Sequence, residues 1–436
     1  MRTKHIIFFI ALWLVNTNVF GQERLSLQDA IRIALNNNYD IKLVKNDVEI
    51  AKNNVTLGNA GILPAATGNF STSGSRQNSV QTQNTGTQRI IDGAISSNMS
   101  YGVGLDWTVF DGFAMFANLD RLKALEKQGQ LTLKSRVLTT ISDVVAGYYN
   151  IAKQQQLVVA SDSAIDISKL RLTIANNKLE IGNGSKLDVL AAQVDYNSDT
   201  STYLQQKNLL EIYMVDLNLL LARDPNIKFT VQNQIDIDQS LVYNALVEQS
   251  AALNPDVQNA FISKKIADLN LKQIRAGRYP QISLSSGYNF NRSTSPTGFN
   301  TAFRANGLTY GLTASMNIFN GFLQRQNERN AKIQISSSEL SFNKLKQEVT
   351  SQLATAYQNY TTYIELVKLE RKNIDIAKQN LDITLEKYRL GSITPIILRE
   401  AQKNAIDANS RYVEIQYQAK LAEITLKELS GTLNIQ

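Results

Sequence analysis

Two long stretches of the chain repeat apolar residues at every seventh position. In the first stretch they form two rows: Val158, Ile165, Leu172 and Leu179, and Ala160, Ile167, Ile174 and Ile181. The second stretch has two rows at matching places: Val367, Ile374, Leu381 and Tyr388, and Leu369, Ile376, Ile383 and Leu390. A seven-residue period is typical of coiled-coil helices. Because the rows start two residues apart, they lie about 200° apart around the helix, so each helix is predicted to pack against neighbours on both flanks.

The same stretches predict two outgoing helices, which contain no internal proline, and two returning helices. The outgoing helices are predicted at 113–181 and 322–390 and the returning helices at 185–222 and 394–430. Each outgoing helix would be about 100 Å long at about 1.5 Å per residue. Gly182 and Gly391 can end them, since glycine tolerates a positive φ, and Ser185 and Thr394 can cap the returning helices. Burial of these helices in a bundle core is the alternative, although their remaining faces are polar.

Shorter segments alternate with a period of two and predict strands at about 64–110 and about 280–320. The clearest apolar row is Tyr101, Val103, Leu105, Trp107 and Val109, and small or polar residues lie between its members. Lengths near ten residues suit a tilted membrane-spanning strand, which needs about 9–11 residues. A polar loop is predicted at 76–88. A half-buried sheet in a soluble domain is the alternative.

Each strand pair follows one predicted helix, from about Ser26 to Ala60 and from about Leu241 to Ala276. The whole arrangement occurs twice. The segment "YGVGLDWTVFDGF" (101–113) aligns with "YGLTASMNIFNGF" (310–322) at a separation of 209 residues, without gaps through both glycine breaks. The sequence therefore predicts a tandem duplication. Its parts are a first repeat at 22–222, a linker at 223–240, a second repeat at 241–431 and a tail at 432–436.

The first residues predict export. "MRTK" is basic, 6–15 is a short apolar run, and Gly21 precedes a cleavage site, so residues 1–21 read as a secretory signal peptide. An uncleaved anchor is the alternative, but it would need about 20 apolar residues. The net charge of +7 is spread among acids along the chain. Nucleic acid is therefore not expected as a partner.

The composition makes an enzyme the weaker hypothesis. The chain has no cysteine, and its one histidine, His5, lies in the predicted signal peptide. Thiol chemistry, Ser-His-Asp triads and ordinary zinc sites are thereby excluded from the mature chain. Paired-carboxylate chemistry stays open, but no cluster suggests it. No cofactor and no metal are predicted.

Four strands per chain cannot close a barrel. About eight strands are needed before side chains fit inside one, and an open sheet edge cannot face lipid because its backbone groups would be unsatisfied. The strands of several protomers are therefore expected to share one barrel, whose small, polar inner face implies a water-filled lumen.

With these features the chain resembles the TolC-type outer-membrane efflux and export channels. The resemblance rests on "GILP" and "GRYPQISL" before the strands, "VFDGF" and "IFNGF" after them, and "GNGSKLDVLAAQ" at the first helix break. It implies a mainly α fold with transmembrane β-strands. A homotrimer would form a 12-stranded barrel in the outer membrane, continued by a helical tube through the periplasm. The implied function is a passive exit duct of a tripartite efflux pump or type I secretion system.

The resemblance also implies partners and sites. The partners would be a periplasmic adaptor (membrane fusion) protein, an inner-membrane transporter of the RND, ABC or MFS type, and outer-membrane lipid. The implied adaptor-docking residues at the periplasmic tips are Gly182, Ser185, Asp188, Val189, Leu190, Gly391, Thr394 and Leu398. The implied gate residues are Asp188, Tyr388 and Glu400. The alternative is that these residues only cap and pack the helices.

The second tip departs from the family pattern. The first tip fits Gly-x-x-Ser-x-x-Asp-Val-Leu, but Ile397 stands where the second would carry an acid, and Glu400 is then the nearest carboxylate. A second functional hypothesis is a periplasmic coiled-coil adaptor or structural protein without a barrel. Such an adaptor would carry compact lipoyl-like β-modules around one hairpin, and the duplicated alternating strands favour the channel instead.

Overall fold

The computed structural model of the protein describes residues 23–298 and 300–433. The predicted signal peptide at 1–21 lies outside these residues. The helices are α1 Leu27–Asn37, α2 Tyr39–Asn53, α3 Leu57–Ala60, α4 Ala114–Glu180, α5 Lys186–Leu220, α6 Tyr243–Leu253, α7 Pro255–Ala276, α8 Leu323–Arg389 and α9 Pro395–Ser430. The strands are β1 Glu23–Arg24, β2 Ala65–Thr82, β3 Gln88–Phe110, β4 Phe229–Thr230, β5 Gln281–Thr294 and β6 Ala302–Ser315. The predicted mainly helical fold with an antiparallel sheet is confirmed.

The chain divides into two compact units. The sheet unit comprises residues 46–132 and 258–345, and the helical unit comprises the described parts of 1–45, 133–257 and 346–436. Within 23–298 and 300–433, no helix combines the length and the apolar character needed to cross a membrane.

The sheet unit is built on four antiparallel strands in the order β2-β3-β5-β6. The strands have 18, 23, 14 and 14 residues, so the prediction of segments near ten residues was wrong. The loop predicted at 76–88 was also too long, because β2 continues to Thr82 and β3 begins at Gln88. Backbone hydrogen bonds hold this polar part of the hairpin, and a ladder of that kind requires no apolar alternation.

The alternation of apolar residues does place them on one face of the sheet. Tyr101 pairs with Phe290 and Trp107 with Leu284, and the rings of Tyr101 and Phe290 stack with 4.9 Å between centroids. Directly paired residues share a face, so the apolar rows of the strands form one continuous surface. We call it the apolar face of the sheet.

The helices that precede the strands are broken, and the prediction of one continuous helix in each place was wrong. Each helix breaks at an asparagine, Asn38 or Asn254, and the first breaks again between Asn53 and Leu57. The Asn38 Oδ1 accepts from the N–H of Asp40 at 2.9 Å, and the Asn254 Oδ1 accepts from the N–H of Asp256 at 2.9 Å. Asparagine competes well for such capping bonds, which are not visible in an apolar pattern.

The same two asparagines tie the breaks to the returning helices. The Asn38 side-chain amide donates to the carbonyl of Leu220 at 3.0 Å, and that of Asn254 donates to the carbonyl of Leu429 at 2.9 Å. These carbonyls lie at the C-terminal ends of α5 and α9, where the last turn leaves acceptors unpaired. Each broken helix is therefore fixed to the end of a returning helix.

The main core of the helical unit surrounds the short parallel pair β1–β4. Its most deeply buried large side chains include Leu25, Ile151, Leu217, Leu221 and Phe229. The Tyr148 hydroxyl donates to the carbonyl of Leu25 and accepts from the N–H of Gln232, both at 3.1 Å. This tyrosine therefore holds the N-terminal segment against the segment that links α5 to α6.

The two long helices are equal in length, with 67 residues in α4 and in α8. Both begin in the same way. Gly112 and Phe113 have φ of 73° and 71°, and Gly321 and Phe322 have φ of 66° and 64°. Two consecutive left-handed residues turn the chain sharply between strand and helix, and phenylalanine adopts this conformation only where its surroundings enforce it.

Candidate functional site

The candidate site lies in the helical unit, where α4 passes into α5 and α8 passes into α9. We call these two connections the first tip (residues 178–190) and the second tip (residues 387–400). Gly182 and Gly391 have φ of 75° and 77°. The N–H of Gly182 donates to the carbonyl of Leu179 at 3.1 Å, and that of Gly391 donates to Tyr388 at 3.0 Å. Both long helices thus end with a left-handed glycine, as glycine's lack of a Cβ allows.

The first tip is closed by a reciprocal cap. The Ser185 Oγ accepts from the N–H of Asp188 at 3.1 Å and donates to its carboxylate at 2.8 Å, while the N–H of Ser185 donates to the same carboxylate at 3.1 Å. The Ser185 hydroxyl is the main cause that lowers the pKa of Asp188, and the Ser185 N–H adds to it. Ser185 therefore caps α5, and the Asp188 carboxylate is charged and held at the helix start.

The second tip begins its returning helix differently. Thr394 occupies the N-cap position, but its side chain makes no capping hydrogen bond. The predicted N-cap position of Thr394 is confirmed, but the side-chain hydrogen bond expected of a cap is not formed. Pro395 takes the first helical turn, where its fixed φ favours helix and its missing N–H costs nothing. The two tips start their returning helices by different chemistry.

Two predicted docking residues are not available to a partner. Val189 is buried against Ala175 and Ala192, and Leu398 is fully buried. The expectation that these side chains contact an adaptor was wrong, because they pack the hairpins themselves. Leu190 and the backbone at both glycines are exposed.

Other apolar side chains of the tips are strongly exposed. The seven-residue rows already included Ile181 and Leu390, but none of these side chains was named as a docking residue. Ile181, Leu187, Leu390 and Ile396 have exposed fractions of 75%, 74%, 82% and 77%. Large apolar residues so exposed at adjoining helix ends mark an interaction surface. Gly184 was also missed: a Cβ there would lie 2.9 Å from the Cβ of Lys178, so the turn needs a glycine.

A cavity of about 760 Å³ separates the two tips. Its walls include the predicted gate residues Asp188, Tyr388 and Glu400. Tyr388 is only 2% exposed, and Lys178 Nζ lies 5.4 Å from its ring centroid. Burial raises the pKa of Tyr388, Arg171 lowers it and Asp188 raises it further. The phenol is thus protonated at neutral pH and lies within the fields of both charged groups.

A polar network that the sequence analysis missed joins α4, α5 and α9 beside this cavity. Arg399 Nη1 donates to both carboxylate oxygens of Asp199 at 3.0 and 2.7 Å. The buried Gln402 amide donates to Asp199 at 3.1 Å and to the carbonyl of Ala164 at 3.1 Å. The hydrogen bonds that Arg399 donates to Asp199 are the main cause of its raised pKa. The sequence signal that could have revealed this network is the pair of polar residues one helical turn apart on each helix, Asp195 and Asp199 on α5 and Arg399 and Gln402 on α9.

Arg171 extends this network toward the tips. Its Nη2 lies 2.8 Å from the Asp195 carboxylate. Its Nε and Nη1 are buried and find no hydrogen-bond partner among the described residues. Buried N–H groups without acceptors are unfavourable. In residues 23–298 and 300–433 no group of acids or histidines could hold a metal ion.

The fold is that of bacterial outer-membrane channels. One solved structure with this fold is the CmeC outer membrane channel of Campylobacter jejuni, with a TM-score of 0.76 and 19% identity over 93% of this chain and 85% of that chain. A sequence profile of the outer membrane efflux protein family matches residues 30–223 and 246–432. The chain belongs to the outer membrane efflux protein family.

Curated relatives agree with this assignment. The chain is 22% identical over 417 residues to the probable efflux pump outer membrane protein TtgC of Pseudomonas putida, covering 93% of this chain and 83% of the relative. It is 18% identical over 448 residues to the proteases secretion protein PrtF of Dickeya chrysanthemi, covering 100% and 94%. The protein is thus an outer-membrane exit duct for efflux or secretion, which sets aside the periplasmic adaptor hypothesis.

Proposed function

We propose that three copies of this chain assemble into one channel, with a 12-stranded barrel in the outer membrane and a helical tube in the periplasm. The observation that carries the proposal is the four-stranded sheet, which has one apolar face and two edge strands, β2 and β6. Edge strands with unpaired backbone groups are not tolerated in lipid. Three sheets joined edge to edge satisfy every edge and supply enough strands for a water-filled barrel.

The long helices support the same assembly. The row Val367, Ile374, Leu381 and Tyr388 of α8 is buried or half-buried, whereas the row Leu369, Ile376, Ile383 and Leu390 is exposed. On α5, Leu187, Leu190 and Val194 are exposed at spacings of three and four residues. Exposed rows with coiled-coil spacing favour packing between protomers. Each chain then contributes helices with seams on both flanks, as a closed tube requires.

The mass of the detergent-solubilised protein tests the assembly. Light scattering with correction for bound detergent is expected to give three chains for protein extracted from outer membranes. A stable monomer or dimer that retains channel activity in planar bilayers would contradict the trimer.

The tips are proposed to dock a periplasmic adaptor that links the duct to an inner-membrane transporter of the RND, ABC or MFS type. The exposed apolar side chains of the tips support this role. One relative is named as part of an efflux pump and another as a protease secretion protein. The cargo class is accordingly either small molecules or polypeptides.

Charge placed on the apolar tip tests docking. Leu187→Glu is expected to abolish export while leaving assembled protein in the outer membrane, because a buried carboxylate without a partner opposes the contact. Lys186→Glu, at the neighbouring exposed position, is the control and is expected to export normally. Loss of assembly together with export would show that Leu187 packs the channel rather than a partner.

The gate is proposed to lie at the same tips, with Asp188, Tyr388 and Glu400 around the cavity. The charged Asp188 and the protonated phenol of Tyr388 are suited to a charge-assisted hydrogen bond between adjoining helices, which favours a closed mouth.

The proposed domain organisation is a tandem duplication, with repeats at 22–222 and 241–431. The matched helix lengths and the matched Asn38 and Asn254 support it.

A further inference from the structure

Two directly paired arginines interrupt the apolar face of the sheet. Arg292 of β5 and Arg304 of β6 are directly paired in the strand register, and both are exposed. They continue the rows that contain Phe290 and Leu308, so they project from the apolar face. The Cα atoms of directly paired residues lie about 4.5–5.5 Å apart. Like charges in this position repel each other and destabilise a sheet.

The opposite face of the same strands is where charges would be expected, yet it is almost uncharged. Serine, threonine, asparagine and glycine dominate it. Where all four strands pair, Asp106 is the one charged residue on this face among the described residues. On the apolar face, the paired strand residues include no carboxylate. Neither Arg292 nor Arg304 forms an ion pair with another described residue. The two guanidinium groups are therefore accessible to a counter-charge from outside the chain.

The position of the two arginines along the strands indicates where in the membrane they would meet a counter-charge. Ile282, at the helix-proximal end of the apolar face, is ten residues before Arg292. Ten residues rise about 34 Å along a strand, or about 26 Å along the normal of a membrane crossed at about 40°. The apolar band of such a sheet is about 25 Å tall. The arginines thus lie at the boundary of the apolar band that is nearer the β2–β3 and β5–β6 turns.

Aromatic residues next to the arginines mark the same boundary. Phe290 precedes Arg292 on this face and stacks on Tyr101. Tyr288 lies one step further in, and its hydroxyl accepts from the Asn306 side-chain amide at 2.8 Å. Aromatic side chains with a polar partner collect where hydrocarbon meets headgroups. Arginine beside such a belt contacts headgroups rather than acyl chains.

We propose that Arg292 and Arg304 form a binding site for the phosphate of an anionic membrane lipid in the leaflet at the hairpin end of the sheet. A guanidinium group binds phosphate through two parallel hydrogen bonds, and two adjacent groups supply a fork on either side of one headgroup. The apolar surface below them holds the acyl chains, which favours a lipid over free phosphate. The site requires that the apolar face meets lipid, as proposed above.

The experiment compares lipids retained by the purified full-length protein. The parent protein, R292Q/R304Q and the control R325Q/R329Q are reconstituted in nanodiscs of phosphatidylcholine with phosphatidylglycerol. The control removes two exposed arginines of α8 in the same unit. Lipid that stays with the protein after detergent extraction is then identified by mass spectrometry. A parallel arm adds inorganic phosphate during extraction.

The parent and the control are expected to retain phosphatidylglycerol in preference to phosphatidylcholine. R292Q/R304Q is expected to lower this preference about 30-fold, the effect of two cations near an anionic surface. R292K/R304K keeps the charges and loses the paired hydrogen bonds, so it is expected to retain part of the preference for phosphatidylglycerol. This variant also replaces R292Q/R304Q in the comparison if the glutamine variant fails to assemble.

Equal preference in the parent and R292Q/R304Q would overturn the proposal, as would no preference in the parent or complete loss in R292K/R304K. Millimolar phosphate that displaces phosphatidylglycerol fully would show a free-anion site instead of a lipid site. If the apolar face did not meet lipid at all, no variant would retain either lipid. That result separates failure of the membrane-embedded sheet from failure of the arginine site.

Discussion

At the scale of single residues, the two tips start their returning helices with different side chains. Ser185 and Asp188 satisfy each other and the first N–H groups of α5, whereas Pro395 begins α9 without help from the Thr394 hydroxyl. The Asp188 carboxylate already accepts two hydrogen bonds from Ser185. It still has lone pairs for another donor, so its capping role and its proposed gate role are compatible.

Tyr388 offers the most direct test of the gate. Tyr388→Phe keeps the buried ring and its contact with Lys178 but removes the hydroxyl. A charge-assisted bond is worth about 1.5–3 kcal/mol, so its loss favours opening. Single-channel conductance in a planar bilayer is expected to rise, and Asp188→Asn is expected to raise it less. If both variants conduct like the parent protein, the gate lies elsewhere and these residues only cap and pack.

At the scale of elements, the network around Asp199 is predicted to fix α9 to α5. Arg399→Met removes two hydrogen bonds from a carboxylate that is 9% exposed. The remaining charge is poorly compensated, and the expected cost is about 2 kcal/mol of local stability. Faster hydrogen exchange in the middle of α5 would report it.

Two further variants serve as comparisons for the hydrogen-exchange measurement. Adding Asp199→Asn to Arg399→Met is expected to recover part of the loss, because a neutral amide needs no counter-charge. Lys403→Met, on the next turn of α9 and on the wall of the same cavity, is the control and is expected to leave exchange unchanged. An unchanged rate in Arg399→Met itself would mean that the network contributes nothing to holding α9.

The strands allow a test of which sheet face meets lipid. Leu105 lies near the middle of the apolar face, and Leu105→Arg is expected to cost about 2–4 kcal/mol at a bilayer midplane. Gly104→Ser, on the other face, is expected to be tolerated, since a Cβ there would lie 3.5 Å from the Thr67 hydroxyl and 4.0 Å from the Asn69 side-chain nitrogen, which are ordinary contacts. The yield of assembled protein in the outer membrane measures both.

Gly102 provides the contrast to Gly104 on the same face. A Cβ at Gly102 would lie 2.5 Å from the carbonyl oxygen of Tyr288, so Gly102→Ser should impair assembly by crowding rather than by polarity. Equal yields from Leu105→Arg and Gly104→Ser would mean that the faces have been assigned the wrong way round.

At the scale of the whole molecule, the exposed row of α8 is predicted to be an interface between protomers. Ile376 is 64% exposed in the single chain, and Ile376→Asp places a charge in the predicted seam. The expected result is loss of trimers in light scattering, with monomers remaining helical by circular dichroism. Lys372→Asp, an exposed change on the same helix, is the matched control. Trimers formed equally by both variants would place the interface elsewhere.

The sequence by itself determined the elements that depend on regular patterns. The seven-residue rows predicted the long helices, since burial on a helix follows its turn. The glycines at 182 and 391 predicted where these helices end, because few other residues accept a positive φ. Alternation predicted which strand residues share a face. The quoted motifs then identified the family, which the profile match confirmed.

The tertiary structure alone decided what depends on partners distant in sequence. Asn38 and Asn254 break their helices because the ends of the returning helices offer acceptors for their side chains. Val189 and Leu398 are buried, while Leu187 and Ile396 are exposed, because the packing of four helix ends selects the buried side. The pairing of Arg292 with Arg304 follows from strand register, and register is fixed by the fold of the hairpin rather than by either strand alone.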